Sequence, residues 1–174
     1  MNIRKAVQAD IPAVAEIFSD IHTEEEAGRV TIGWIRAIYP TQATAQAALE
    51  RGDLFVMEDG GALVGTAVIN QQQVDVYADG AWADDAPAEQ VMVLHTLVIS
   101  PKAARRGYGR AFVAYYEDYA RSHGCPYLRM DTNARNVNAR ALYRKLGYRE
   151  ADVVPCVFNG IEGVQLVLLE KRLR

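Results

Sequence analysis

The stretch that decides the fold is VMVLHTLVIS (residues 91–100) followed by PKAARRGYGR (101–110). The first ten residues are apolar and rich in β-branched side chains, which is the pattern of a strand buried on both faces. Pro101 ends the run. Two arginines then lead into Gly107-Tyr108-Gly109, and an amphipathic helix follows, with Tyr108, Ala111, Phe112, Tyr115 and Tyr119 on one stripe. Glu117 and Arg121 are spaced as an i,i+4 pair on its outer side. A strand, a basic glycine turn and a helix together make an anion site. Glycine lets the backbone approach the ligand, and the first free N–H groups of the helix point at it.

Working outward, Gly124 and Pro126 close that helix, and Tyr127–Thr132 reads as the next strand. The strand–helix–strand unit makes 91–100 and 127–132 parallel neighbours. A last helix carries Ala139, Leu142, Tyr143 and Leu146 on one face and stops at Gly147. Strands at 148–153 and 163–170 follow, joined through an Asn159-Gly160 turn. Toward the N-terminus, Leu54–Glu58 and Leu63–Asn70 form a hairpin about Asp59-Gly60-Gly61. The first strand is 3–7. Asp10 caps a helix running to about Ile21, and 22–28 reads as an acidic loop. The spacing of Trp34, Ile35 and Ile38 predicts a helix over 31–39, stopped by Pro40, and Thr41 caps another that Gly52 ends. The long connection 71–90 carries Tyr77 and Trp82 among acidic residues. Tyr77, Trp82 and Trp34 are candidates to wall a pocket. The sum is one domain over 1–174: a mixed α/β sheet of about six to seven strands with about four helices on its faces.

Composition narrows the function. With 174 residues, half of them hydrophobic, the chain is long enough for a real core. A net charge of −3 argues against a nucleic-acid binder. The acidic residues gather in the first half and the arginines in the second, which fits an anionic cofactor and a cationic substrate, or simply two solvated faces. Cys125 and Cys156 have no metal or redox spacing, and no stretch has transmembrane length, so a cytoplasmic location is expected, with no metal and no membrane partner. Two phosphate motifs are excluded. A dinucleotide fingerprint needs a third glycine where Phe112 stands, and no Gly-Lys-Ser/Thr of a P-loop occurs.

LVISPKAARRGYGRAF (residues 97–112) resembles the acetyl-CoA-binding segment of the GNAT acyltransferase superfamily, where Q/R-x-x-G-x-G/A opens the helix. Ala104 departs from the motif's first position, and Arg105, Arg106 and Arg110 supply charge beside it. A second segment, Asn136-x-x-Ala139-x-x-Leu142-Tyr143-x-x-Leu146-Gly147-Tyr148, is similar to the family's other cofactor segment. The resemblance covers roughly residues 91–150.

It implies a GNAT-like N-acetyltransferase domain that moves an acetyl group from acetyl-CoA to a primary amine by direct attack in a ternary complex. The backbone of Leu97 and Ile99 then pairs with the pantetheine arm, a free N–H at or near Val98 polarises the thioester carbonyl, and Gly107, Tyr108 and Gly109 meet the pyrophosphate. Asn136 meets the arm or caps its helix, and Tyr143 is the general acid to the leaving sulfur. Two candidates stand for the base: His95, placed by the period of two in register with Leu97 and Ile99, and Glu89 just before the strand. A non-catalytic acyl-CoA-binding sensor of the same fold is the alternative. A nucleotide-binding enzyme fits less well because it leaves Asn136–Tyr148 unexplained. Polyamine-like metabolites, amino acids, aminoglycosides and protein N-termini all remain open as acceptors, as does pairing of two copies through the C-terminal strands.

Overall fold

The computed structural model describes all 174 residues. In chain order the elements are β1 (Asn2–Lys5), α1 (Ile11–Glu26), α2 (Gln42–Arg51), β2 (Leu54–Asp59), β3 (Ala62–Asn70) and β4 (Val91–Ile99), then α3 (Tyr108–Ser122), β5 (Tyr127–Asn133), α4 (Val137–Lys145), β6 (Arg149–Phe158) and β7 (Ile161–Arg172). The seven strands form one sheet in the order β1-β2-β3-β4-β5-β7-β6. Only β4 and β5 are parallel, as a strand–helix–strand crossover requires. The two C-terminal strands run longer than their apolar cores suggested.

Helices cover both faces. On one, Val14 and Phe18 of α1 and Ala48 of α2 pack against Leu54, Val56 and Val68. On the other, Phe112, Val113 and Tyr116 of α3 pack against Phe55, Ala67 and Leu94. A third cluster continues the α1–α2 side, where the 71–90 connection covers Val91, Val93, Leu166 and Leu168. Tyr77 is buried there. It meets Trp82 edge to face at 5.2 Å, and the Arg129 guanidinium lies 4.2 Å from the Trp82 ring. These two aromatics therefore pin the connection to the sheet.

Several local readings change. Helix α1 continues through His22–Glu26, because polarity alone does not stop a helix. His22 is buried, and its Nε2 lies 2.9 Å from the Pro40 carbonyl oxygen. Asp10 does not cap α1 with its side chain. Its carboxylate accepts from the Val7 N–H (2.8 Å) and from Arg4 (2.7 Å). Arg121 pairs with Asp118 instead of Glu117, and Glu117 takes Lys171 at 2.8 Å.

Residues 31–39 are not a helix. Gly33 sits at φ +83°, outside the helical region, and the Glu25 carboxylate accepts from the N–H groups of Ile32 (2.5 Å) and Gly33 (3.0 Å). Ile35 and Ile38, which a helix would have buried, stay exposed. The segment is a strap that leaves α1 and crosses to the C-terminal half. The Thr31 hydroxyl donates to the Arg135 carbonyl oxygen (2.9 Å), and a Cβ at Gly33 would fall 2.3 Å from Asn133 Nδ2. Thr41 does cap α2, accepting from the Thr44 N–H.

Candidate active site

The site begins with an irregularity in β4. Thr66 pairs with Val98 but Val68 pairs with His95, so β4 carries one residue more than β3 across this interval. The extra residue is a β-bulge, and Thr96 within it takes φ +50°, which is rare for a β-branched side chain. A bulge changes which face successive side chains point to. Ahead of it, Met92 and Leu94 belong to the α3 core; after it, Leu97 and Ile99 pack on that core and Val98 joins the α1–α2 core. His95 is paired to Val68, which lies in the α1–α2 core. The strict period of two is thus overturned here: His95 faces the side opposite to Leu97 and Ile99.

The bulge also ends the β4–β5 pairing, which covers only Val91–Leu94 with Tyr127–Met130. Beyond it the strands part. The Ser100 N–H donates to the Val64 carbonyl oxygen at 2.9 Å. Alternation turns the polar groups of Val98 toward β3 as well, and leaves those of Leu97 and Ile99 facing the gap. It is an open strand edge inside the molecule.

At the far end of β4 the glycine turn presents a run of donors. Gly107 sits at φ +78° and Arg105 at φ +68°. The N–H groups of residues 105–110 have no acceptor in the chain, and the first helical bond is Ala111 N–H to the Gly107 carbonyl oxygen. Six consecutive free donors at the start of a 15-residue helix make an anion cradle. Gly109 faces α4, where an added Cβ would make an ordinary contact of 3.4 Å with Leu142 Cδ2. The Tyr108 hydroxyl donates to Asp59 at 2.6 Å and anchors the turn to the β2–β3 hairpin. Arg105 lines the cleft, while Arg106 and Arg110 are exposed and stand outside its lining.

Edge and cradle open into one cleft of about 470 Å³ that passes between β4 and β5. Leu97, Val98, Ile99, Gly107, Asn136 and Tyr143 all line it. Asn136 caps α4, accepting from the Ala139 N–H at 3.2 Å, so its carbonyl oxygen is committed to the helix. Tyr143 is buried on α4. Its hydroxyl bonds no atom of the chain, and every fully buried side-chain N or O has a partner, so this hydroxyl opens on the cleft. Burial first, and the nearby Asp131 charge second, raise its pKa well above the usual phenol range.

The other half of the cleft lies beneath the strap. Trp34 and Tyr39 meet edge to face at 5.9 Å, Tyr39 shares a short hydrogen bond with Thr96, and Phe158, Ile161 and Leu166 close the wall. Tyr77 and Trp82 are not part of the wall, and Val74 is the one residue of the 71–90 connection that reaches it.

His95 lines this half. Burial lowers its pKa from 6.5 to about 4, so its imidazole is neutral. The Asn70 amide nitrogen donates to Asp53 (2.8 Å), which fixes the Asn70 oxygen as acceptor from His95 Nε2 (3.0 Å). Glu89 is not brought to the cleft. It lies exposed in a short turn before β4, at the end of the strand away from the bulge.

Asp131 was not anticipated. It follows Met130, the last β5 residue paired to β4, and it lines the cleft. Tyr77 donates to Oδ2 at 2.6 Å, while Oδ1 has no partner in the chain. Burial raises its pKa from 3.8 to about 6. The available signal was an acidic residue inside the apolar strand YLRMDT, where a carboxylate needs a reason to be buried.

Comparison with known proteins fits this geometry. Residues 12–148 match the model of the Acetyltransferase (GNAT) family. The chain belongs to the GNAT acetyltransferase family. It is 25% identical over 152 residues to an uncharacterised N-acetyltransferase, YhfO, of Bacillus subtilis (strain 168), an alignment covering 86% of this chain and 91% of that protein. Among solved structures it resembles a GNAT-family acetyltransferase from Streptococcus agalactiae 2603, with a TM-score of 0.83, 23% identity and coverage of 99% of this chain and 95% of that one. It also resembles yncA of Salmonella typhimurium, solved with its cofactor acetyl-CoA, with a TM-score of 0.72, 19% identity and coverage of 100% and 94%. At these identities the two structures establish the fold. No helix of the chain is long and apolar enough to cross a membrane.

Proposed function

We propose that the protein is an acetyl-CoA-dependent N-acetyltransferase that acylates a primary amine by direct attack within a ternary complex. The observation that carries this reading is the continuity of one cleft from six free backbone N–H groups, along an open strand edge, to the unbonded Tyr143 hydroxyl. Those three parts fit the three parts of acetyl-CoA. The N–H run of residues 105–110, with Arg105, suits the pyrophosphate. Leu97 and Ile99 offer the amide-rich arm a pairing edge. Their gap-facing N–H groups also suit the thioester carbonyl better than that of Val98, which turns to β3.

Asp131 takes the proton that an incoming ammonium must lose, because a carboxyl with a pKa of about 6 is mostly ionised at neutral pH and still accepts a proton. It is better placed than the alternatives: burial makes His95 a weak base, with a pKa lowered to about 4, and Glu89 is outside the cleft. The amine nitrogen forms its bond to the acetyl carbon, the carbon–sulfur bond breaks, Tyr143 donates its proton to the departing sulfur, and the second proton of the nitrogen restores the phenol as the amide forms. The raised pKa keeps the phenol proton in place until the sulfur becomes basic. Amine and thioester go to amide and thiol.

Replacing Tyr143 by Phe removes one hydroxyl with no partner in the chain. The expected result is a kcat lower by about 10²–10³-fold, with the melting temperature and the dissociation constant of CoA unchanged. Full turnover in that variant removes the acid role. The sensor alternative predicts CoA binding with no thiol release from the wild type on any amine.

A further inference from the structure

The acceptor half of the cleft is chemically asymmetric. Among all residues lining the cleft, Asp131 is the only carboxylate and Arg105 the only lysine or arginine, and Arg105 stands at the glycine turn. The acidic residues beside the strap are already engaged: Glu24 with Arg29 (2.7 Å), Glu26 with Arg36 (2.8 Å), and Glu25 with the strap's own N–H groups. The rest of this end is uncharged: its walls are mostly apolar, among them Trp34, Phe158, Ile161 and Leu166, and its polar groups, such as the neutral His95 and Asn159, carry no charge. A second ammonium on a substrate would find no counter-charge here, and a substrate carboxylate would find no cation. Either group would be desolvated without a counter-charge.

The strap also encloses this end. It is tied to the β5–α4 corner through Thr31 and Arg135. It touches the β6–β7 turn as well, where a Cβ at Gly160 would lie 3.2 Å from Ile38 Cγ2. A compact acceptor fits under such a roof better than an extended peptide.

We propose that the acceptor is a small primary amine with a single positive charge and an apolar body, aromatic or branched aliphatic, carrying neither a second ammonium nor a carboxylate. The ammonium meets the free Asp131 oxygen, and the body packs against Trp34, Tyr39 and the β7 side chains. This rests on the acetyltransferase reading, and it makes Trp34 a specificity-determining residue.

The test is thiol release from acetyl-CoA with phenethylamine, isoamylamine, spermidine, kanamycin, phenylalanine and a short peptide with an N-terminal alanine. Phenethylamine or isoamylamine is expected to exceed each of the other four in kcat/KM by at least about tenfold. Trp34→Ala should raise KM for phenethylamine by about tenfold and leave KM for acetyl-CoA unchanged. Spermidine, kanamycin, phenylalanine or the peptide as the best acceptor overturns the inference while leaving the acetyltransferase reading intact. If no amine releases thiol, that reading fails and calorimetry on the CoA-saturated protein decides the inference separately. Phenethylamine binding more tightly than spermidine upholds it, and equal or absent binding overturns it.

Discussion

Replacing Asp131 by Asn should make the protein more stable and nearly inactive. Burial holds the Asp131 carboxyl at a pKa of about 6 against an ordinary value of 3.8. The folded state therefore binds this proton more tightly than the unfolded chain does. Its contribution to stability is complete below pH ~3.8, is lost as the pH rises through about 6, and becomes a fixed deficit above that. A difference of about two pH units corresponds to about 3 kcal/mol. Asparagine keeps an oxygen for the Tyr77 hydroxyl, and the value of about 6 already contains the lowering that this bond exerts on the carboxyl. The net expectation is about 3 kcal/mol of stabilisation at pH 8, or roughly 6–12 °C in melting temperature for a chain of this size. At pH 4 the wild-type carboxyl is protonated and the gap between the two proteins should nearly close. Activity runs the other way. In the wild type, kcat at saturating amine should fall about tenfold between pH 7 and pH 5, following the ionised fraction of a group titrating near 6. In the variant kcat should be lower by at least about 100-fold and flat over that range. Scanning calorimetry at the two pH values and a pH profile of kcat are sufficient. A variant that melts lower than wild type at pH 8, or that retains an acid limb near pH 6, refutes the reasoning.

Three further outcomes follow from the site and its supports. Gly107→Ala has open space around the new Cβ but places it at φ +78°. It should cost about 1–2 kcal/mol, read as a lower melting temperature, and weaken CoA binding in calorimetry because the donor run is displaced. Thr41→Ala removes the α2 cap and should cost about 1 kcal/mol in denaturant unfolding with kcat unchanged. His95→Asn and Glu89→Gln should each leave the shape of the kcat profile between pH 5 and pH 9 as in the wild type. The reasons differ: His95 is neutral throughout that range, and Glu89 lies outside the cleft.

The parts of the site that sequence made legible are those governed by local chemistry. Gly107 is needed where the backbone turns at positive φ. Tyr143 was singled out by the resemblance of the 136–148 segment to the family's second cofactor segment, and the β4–α3–β5 crossover by its apolar periods. The strap was misread because Trp34, Ile35 and Ile38 have helical spacing, while the backbone turns out of the helical region at Gly33, φ +83°, and is held there by a carboxylate from another element, Glu25. The pocket wall was half misread for a related reason. Tyr77, Trp82 and Trp34 are equally aromatic in sequence, and only the path of the 71–90 connection, clamped through Arg129, decides which of them meets the cleft.

The least legible feature was the one the site depends on most. VMVLHTLVI is buried on both faces, so it has no polar–apolar alternation for an inserted residue to interrupt. Yet the insertion at Thr96 does three things together. It turns Val98 to the α1–α2 side and Leu97 and Ile99 to the α3 side. It ends the pairing with β5 after Leu94, which opens the gap. And it puts Thr96 beside Tyr39, whose hydroxyl bonds it from the strap. A β-branched residue at φ +50° carries about 1–3 kcal/mol of backbone strain and persists only where its surroundings over-determine it. Here the surroundings are the β3 register on one side and the strap on the other. The same strap residue that bonds the bulge also walls the cleft beneath the strap, so the opening of the strand edge and the shape of that half of the cleft share one contact.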